Sequence, residues 1–342
     1  MKALGLAVSF LAGISATVCA TVCAASAAVN GSGSTFAEPV YSRWIADFQK
    51  KEQGLQFNYQ GVGSGAGMKQ MLEGTVDFAG TDDPMKADDA AKAKAGVLHI
   101  PVAMGAVVVT YNLKLDKPLK MSGSVIGKIF NGTITKWNDP ELAKLNPGVA
   151  LPAQAIVVAT RSDGSGTTAV FSEYLSKVSA DWAGKNGKTV NWFQGSLGAK
   201  GNAGVAGLVK GNSGTTGYVE LVYALENKMP FAEIANKKGE FVKASAASVS
   251  AAAKGVEKTA VEKEFKISIT DSEQKGAYPI SAFTWMLVFD KMAKDKGPAV
   301  VKFATYALSD EAQAAAEKIN YAPVPKSIRT EALKSLGKVT FN

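Results

Sequence analysis

Cysteine is almost missing from this 342-residue chain: Cys19 and Cys23 are the only two, and both fall near the N-terminus. Histidine is rarer, with His99 alone, and arginine is confined to Arg43, Arg161 and Arg329 among 38 basic residues. Beyond the first residues, no run is long and apolar enough to cross a bilayer. The early stretch, Met1 to about Ala27, has Lys2, an apolar segment interrupted by Gly and Ser, then Ala25-Ser26-Ala27, with no acidic residue before Glu38. That is the signature of a cleavable secretory signal rather than a membrane anchor. Each cysteine follows a valine, Val18 or Val22, where a lipid-modified cysteine follows a small residue. The expectation is therefore a freely diffusing exported chain without disulfides.

A lone histidine leaves little room for hydrolytic chemistry, which needs a nucleophile with a base, or metal ligands. His99 lies in Val97-Leu98-His99-Ile100, which reads as a strand, so it is expected as a core or edge residue. No Gly-x-Ser-x-Gly motif is present, and Ser335-Leu336-Gly337-Lys338 matches only the bare Ser-x-x-Lys spacing and reads as a helix end. Among acid pairs, Asp88-Asp89 falls on a lysine-rich, solvated helix. No enzyme, metal site or cofactor is expected, although an exported phosphohydrolase stands as the rival reading. The formal charge of +8 comes from lysines spread along the chain with acids between them, and no basic run is interleaved with aromatics, so nucleic acid is not an expected partner.

What is present is an α/β pattern with short apolar runs between helix-like segments. Leu55–Tyr59 alternates, Val76–Gly80 is a short candidate strand, and Ala106–Tyr111 and Phe283–Phe289 read as buried strands. Val40, Tyr41, Trp44, Ile45 and Phe48 fall on one helical face, and the alanine- and serine-rich Ala244–Lys254 reads as an exposed helix or loop. Parallel sheets with helices on both faces are expected. A mature chain of about 315 residues is beyond what one core usually serves, so two domains are expected.

The strongest local signal is Arg161-Ser162-Asp163-Gly164-Ser165-Gly166-Thr167-Thr168, which follows the β-branched run Ile156–Thr160 and leads into a helix pattern. A strand, a tight polar turn and a helix start aim free N–H groups, hydroxyls and a guanidinium at one point. That is an anion site, and a planar arginine fork suits bidentate oxyanion contact better than lysine. Three further turns share its character. Gly31-Ser32-Gly33-Ser34-Thr35-Phe36-Ala37-Glu38-Pro39 has capping-box spacing from Thr35 to Glu38, with Pro39 in the first turn. Gly61-Val62-Gly63-Ser64-Gly65-Ala66-Gly67 lies between a strand and a helix and matches the dinucleotide fingerprint only weakly. In Thr81-Asp82-Asp83-Pro84, Asp83 reads as a helix cap before Pro84, which leaves Asp82 without a structural task.

Together the turns describe one ligand. Hydroxyls of Thr35, Ser64, Ser165 and Thr167 and nearby N–H groups meet an oxyanion, Arg161 adds a positive fork, and Asp163 holds or offsets that fork. Asp82 repels a fully ionised guest but accepts a hydrogen bond from one that still carries a proton. Phosphate keeps a proton near neutrality and sulfate keeps none, so Asp82 selects phosphate.

At these residues the chain resembles the periplasmic phosphate-binding proteins of bacterial high-affinity phosphate ABC transporters, across essentially the whole mature length. The markers are Gly33–Phe36, Tyr59–Ser64, Val76–Phe78, Thr81–Pro84, Ile129–Gly132 with Lys136-Trp137, Arg161–Thr167, and Gly217–Glu220. The resemblance implies phosphate contacts from Thr35, Phe36, Ser64, Asp82, Arg161, Ser165, Gly166 and Thr167, with Asp163 as the arginine's partner. Gly65 stands where some members have serine, and Asp83 where some have alanine. The fold implied is a two-lobed α/β periplasmic binding protein, type II-like, with two chain crossovers at a hinge and the ligand cleft between lobes. Residues 29–108 plus 283–342 are then lobe one, 109–282 lobe two, and 1–27 the signal peptide. Inorganic phosphate and the transmembrane permease subunits of a phosphate ABC transporter are the implied partners of a monomeric, periplasmic protein. Arsenate, nearly identical in shape and charge, is the alternative within the same class.

Overall fold

The computed structural model describes residues 28–342. The expected signal, with Cys19 and Cys23, lies outside the described residues.

An eight-stranded sheet runs through the molecule in the order Phe57–Gly61, Val29–Gly33, Phe78–Thr81, Ser281–Phe289, Val97–Tyr111, Thr215–Glu220, Val157–Arg161, Leu197–Ala199. The first three strands are mutually parallel, as are the last three. Between them the long strands Ser281–Phe289 and Val97–Tyr111 are antiparallel to each other and to their outer neighbours. The sheet is therefore mixed, correcting the expectation of purely parallel sheets. The cause is this antiparallel pair at the centre: Ser281–Phe289 lies against residues 97–106 and the first parallel set, while Val97–Tyr111 continues through 107–111 to meet the second set, each outer set running antiparallel to the long strand it meets.

Val97–Tyr111 tolerates Pro101 in its interior because its register against Ser281–Phe289 slips there. Trp285 faces Pro101 and Thr284 faces Ala103, which leaves Val102 as the extra residue of a bulge. A proline has no N–H for a ladder, and a bulge is where a strand can do without one.

Each half has its own aromatic core. In one, Tyr41, Phe48, Phe57, Tyr59, Phe78 and Phe303 pack with ring centroids between 4.3 and 6.4 Å apart. In the other, Phe130, Phe171, Trp182, Trp192 and Tyr218 do the same, Phe171 stacking on Tyr218 at 4.4 Å. Burying each large ring removes enough apolar surface to contribute about 1.5–3 kcal/mol.

The helix Glu38–Lys51 buries the five residues its periodicity marked, Val40, Tyr41, Trp44, Ile45 and Phe48, with Pro39 in its first turn and Lys50 and Lys51 in its last, where cations suit the dipole. The strands at 57–61, 78–81 and 157–161 lie one or two residues later than their apolar runs suggested. Residues 246–252 are helical, but Ser248, Val249, Ala251 and Ala252 are buried, so the segment is half core rather than exposed. Small side chains let it pack closely, and their low hydrophobicity hid the face.

His99 sits within Val97–Tyr111, 3% exposed, with its Nε2 accepting the Met85 N–H at 3.0 Å. Burial lowers its pKa to about 4 and keeps the ring neutral. Ser335 lies in the last turn of Lys326–Leu336, consistent with a helix end. Among the described residues no helix is long and apolar enough to cross a membrane.

Candidate functional site: an oxyanion crevice between the halves

Four helices begin at one place: Glu38–Lys51, Ser64–Glu73, Gly166–Val178 and Gly201–Gly211. Each leaves N–H groups of its first turn without intrahelical acceptors and carries a positive dipole end. Only the third has a side-chain cap, Ser165 Oγ accepting from Thr168 N at 3.0 Å; Ala37, Gly63 and Lys200 provide none. Gly63 has φ 92°, a left-handed-side conformation that favours glycine, and a Cβ there would lie 2.4 Å from Asp163 Oδ2. Across the crevice, a Cβ on Gly166 would lie 2.4 Å from both Asp82 Oδ2 and Ser64 Oγ. The halves thus meet at backbone distance, and Gly65 N donates to Gly164 O at 2.9 Å across the seam.

Asp82 is 3% exposed. Ser34 Oγ reaches its two carboxylate oxygens at 2.7 and 2.6 Å, and Thr284 Oγ1 donates to Oδ1 at 2.8 Å. Burial pushes its pKa up to about 6, against the opposing pull of these two hydroxyls and of the Arg161 charge. Near neutrality it is therefore an ionised acceptor whose Oδ2 faces Ser64 and Gly166, and Ser64 Oγ lies 3.5 Å away.

Arg161 is 4% exposed and forms a fork with Asp163, Nε to Oδ1 at 2.7 Å and one terminal nitrogen to Oδ2 at 2.5 Å. Its other terminal nitrogen reaches Thr167 Oγ1 at 3.3 Å. Burial tends to raise the Asp163 pKa, but the bonds and charge of Arg161 and the Gly201 N–H hold it below the ordinary range. With Arg161 already paired by Asp163 and Asp82 ionised, the side chains of the crevice carry no excess positive charge. An anion there is held by directed N–H and O–H donors and by helix dipoles rather than by excess cations.

The structure brings Thr35, Ser64, Asp82, Asp163, Arg161, Ser165, Gly166 and Thr167 to this crevice, with Phe36 following Thr35 and 0% exposed. Two local expectations are corrected. Thr35 is not the cap of its helix: Ser34 Oγ accepts from Ala37 N, while Thr35 Oγ1 accepts from Asn202 N at 3.2 Å and Asn202 Nδ2 at 2.9 Å. Asp83 is not a cap either, since the next helix starts at Ala87; it pairs instead with Lys188 of the other half, because packing brings that lysine across the seam.

Four residues escaped the sequence reading. Ser34 and Thr284 hold Asp82, Lys188 meets Asp83, and Asn202 links Thr35 to Thr167 Oγ1, the latter at 3.0 Å. Asn202 had a usable signal, since Gly201-Asn202 follows the strand Leu197–Ala199 and opens a helix, the same grammar as Ser165-Gly166. A groove of about 260 Å³ lined by Asp82, Asp83, Glu173, Lys266, Phe283 and Trp285 continues the seam from the site toward the surface.

A mixed sheet with a donor-lined crevice between two cored halves defines a solute-binding protein, and the PBP superfamily domain model matches residues 20–311. Phosphate-binding protein PstS of Xylella fastidiosa (strain Temecula1) is 40% identical over 309 residues, covering 89% of this chain and 83% of that protein. PstS of Pasteurella multocida (strain Pm70) is 38% identical over 327 residues, 92% and 93% of the two chains. The high-affinity periplasmic phosphate-binding protein PfluDING, solved with phosphate bound, shares the fold at a TM-score of 0.72 and 21% identity over 89% of this chain and 92% of its own. The chain belongs to the PstS phosphate-binding protein family.

Proposed function

We propose that this protein binds inorganic phosphate in the crevice and delivers it to the transmembrane permease subunits of a phosphate ABC transporter for import. Its place of work on this reading is the periplasm, reached through a signal peptide at 1–27 and cleavage there, and it acts as a monomer without nucleic acid. Residues 29–108 plus 283–342 act as lobe one and 109–282 as lobe two. The crossovers then fall side by side, since Ser281 pairs with Ala106 and Ala282 with Gly105, giving closure a natural hinge.

The observation that carries the reading is Asp82. A buried carboxylate, held by Ser34 and Thr284 at the meeting point of helix N-termini, is an acceptor in an otherwise donating site. Thr35, Phe36, Ser64, Arg161, Ser165, Gly166 and Thr167 donate to phosphate oxygens, Asp82 accepts the phosphate proton, and Asp163 fixes the Arg161 fork. Phosphate touches groups of both lobes at once, so its binding energy favours the closed form that a permease recognises.

The protein acts as a binder rather than an enzyme. Its one histidine is neutral, and its Nε2 already accepts the Met85 N–H. Calorimetry on protein unfolded, freed of ligand and refolded tests the reading with phosphate, sulfate and arsenate. Tight phosphate binding with sulfate rejected supports it; equal affinity for phosphate and sulfate, or turnover of a phosphomonoester at an enzymatic rate, overturns it.

A further inference from the structure

We propose that Asn202 is a positioning residue that fixes the hydrogen-bond polarity of the site by making Thr35 and Thr167 donate to phosphate. The inference rests on the phosphate-binding reading and adds to it a residue that sets specificity without being needed as a contact.

The orientation of the Asn202 amide follows from the backbone. Glu220 N donates to Asn202 Oδ1 at 2.9 Å, and since an N–H can only donate, that atom is the oxygen and the opposite one is the NH2 group. Nδ2 therefore faces the crevice, where its two hydrogens match two acceptors, Thr35 Oγ1 at 2.9 Å and Thr167 Oγ1 at 3.0 Å. Glu220 is the last residue of the strand Thr215–Glu220 and is fully buried, so this anchor is rigid.

A hydroxyl oxygen has two lone pairs and one hydrogen. Thr35 Oγ1 accepts from Asn202 N and Asn202 Nδ2, and Thr167 Oγ1 accepts from Arg161 and Asn202 Nδ2. Both oxygens have used their acceptor capacity. Each has its O–H left to give, and among the described residues neither gives it to another protein atom. Asn202 thus turns two amphoteric hydroxyls into obligate donors, one from each lobe. The site then rejects a guest that needs to donate at those two points, and Asp82 remains as the place where a guest proton is accepted. Asn202 is also a tie between lobes, since Thr35 and Thr167 belong to opposite ones.

The test measures phosphate binding by calorimetry on refolded wild type, Asn202→Ala, Thr35→Val, and the double variant. Charge-assisted hydrogen bonds of this kind predict that Asn202→Ala weakens phosphate by about 10- to 100-fold and Thr35→Val by at least about tenfold. In the Asn202→Ala background the further effect of Thr35→Val shrinks to under about threefold, because an unoriented hydroxyl has less to lose. A merely structural role for Asn202 would lower the melting temperature yet leave the two losses independent, so full additivity overturns the proposal. Should Asn202→Ala fail to fold, neutron diffraction of the wild-type phosphate complex decides: hydroxyl deuterons of Thr35 and Thr167 pointing at phosphate support the proposal, and deuterons pointing at Asn202 refute it. If wild type itself takes up no phosphate, the reading of the site fails; if it binds and the coupling is absent, only the role of Asn202 fails.

Discussion

Asp82→Asn is the sharpest perturbation this site allows, because it changes one oxygen into an NH2 group with almost no change in volume. In the wild type Oδ1 accepts from Thr284, Ser34 Oγ lies within reach of both carboxylate oxygens, and Oδ2 faces Ser64 and Gly166. An asparagine keeps Oδ1 for the two hydroxyls and turns a donor toward the crevice. With a pKa of about 6, Asp82 is ionised about ten to one at pH 7. Sulfate, having no proton, then sets an oxygen against a buried carboxylate, and a buried charged acceptor without a donor costs about 3 kcal/mol, roughly 150-fold in affinity. The variant removes that penalty for sulfate and removes the acceptor for the phosphate proton. Sulfate affinity should rise by about 100-fold and phosphate affinity fall by about tenfold. Calorimetry at pH 7.5 on refolded proteins with matched melting temperatures reads both. A phosphate-to-sulfate ratio that stays within about threefold of the wild-type value would falsify the account of Asp82.

The same carboxyl gives a pH signature. Its folded pKa lies above its unfolded value, so its contribution to ligand-free stability is complete below about pH 4 and is lost as pH rises through about 6, a change of about 3 kcal/mol. The difference in unfolding free energy between wild type and Asp82→Asn, followed by urea titration from pH 4 to pH 7.5, should drift by that amount, and a flat difference contradicts the burial argument. Gly166→Ala puts a methyl 2.4 Å from Asp82 Oδ2 and Ser64 Oγ, so closure is blocked; at least about 100-fold weaker phosphate with little change in melting temperature is expected, and unaltered affinity would show that the lobes do not meet here in the bound form. Arg161→Ala removes a buried fork and strands Asp163, whereas Ser64→Ala removes one hydroxyl; calorimetry should rank the first loss at least about tenfold above the second, and the reverse order would deny the guanidinium its role.

The segments that carry chemistry were legible because their physics is local. Arg161 and Asp163 are two residues apart at a strand end, and the turn leading into Gly166–Val178 aims N–H groups outward whatever surrounds it. The buried face of Glu38–Lys51 follows from periodicity alone. Where local reasoning failed, two local explanations competed. Capping-box spacing made Thr35 look like a cap, while its neighbour Ser34 holds Ala37 N; a proline after Asp83 suggested a helix start, while the chain stays irregular until Ala87. Propensity ranks such options but cannot see the other half of the molecule.

By itself, then, the sequence determined the α/β alternation and the anion-seeking turns, since each depends on residues within one or two turns of chain. Only the tertiary structure decided that the sheet is mixed, that Thr284 holds Asp82 from 202 residues away, that Lys188 meets Asp83, and that Asn202 bridges Thr35 across 167 residues. Those pairings arise from strand order and from burial summed over two cores. An asparagine or lysine destined for a crevice has the same local pattern as one destined for solvent, so nothing short of the packed fold tells them apart.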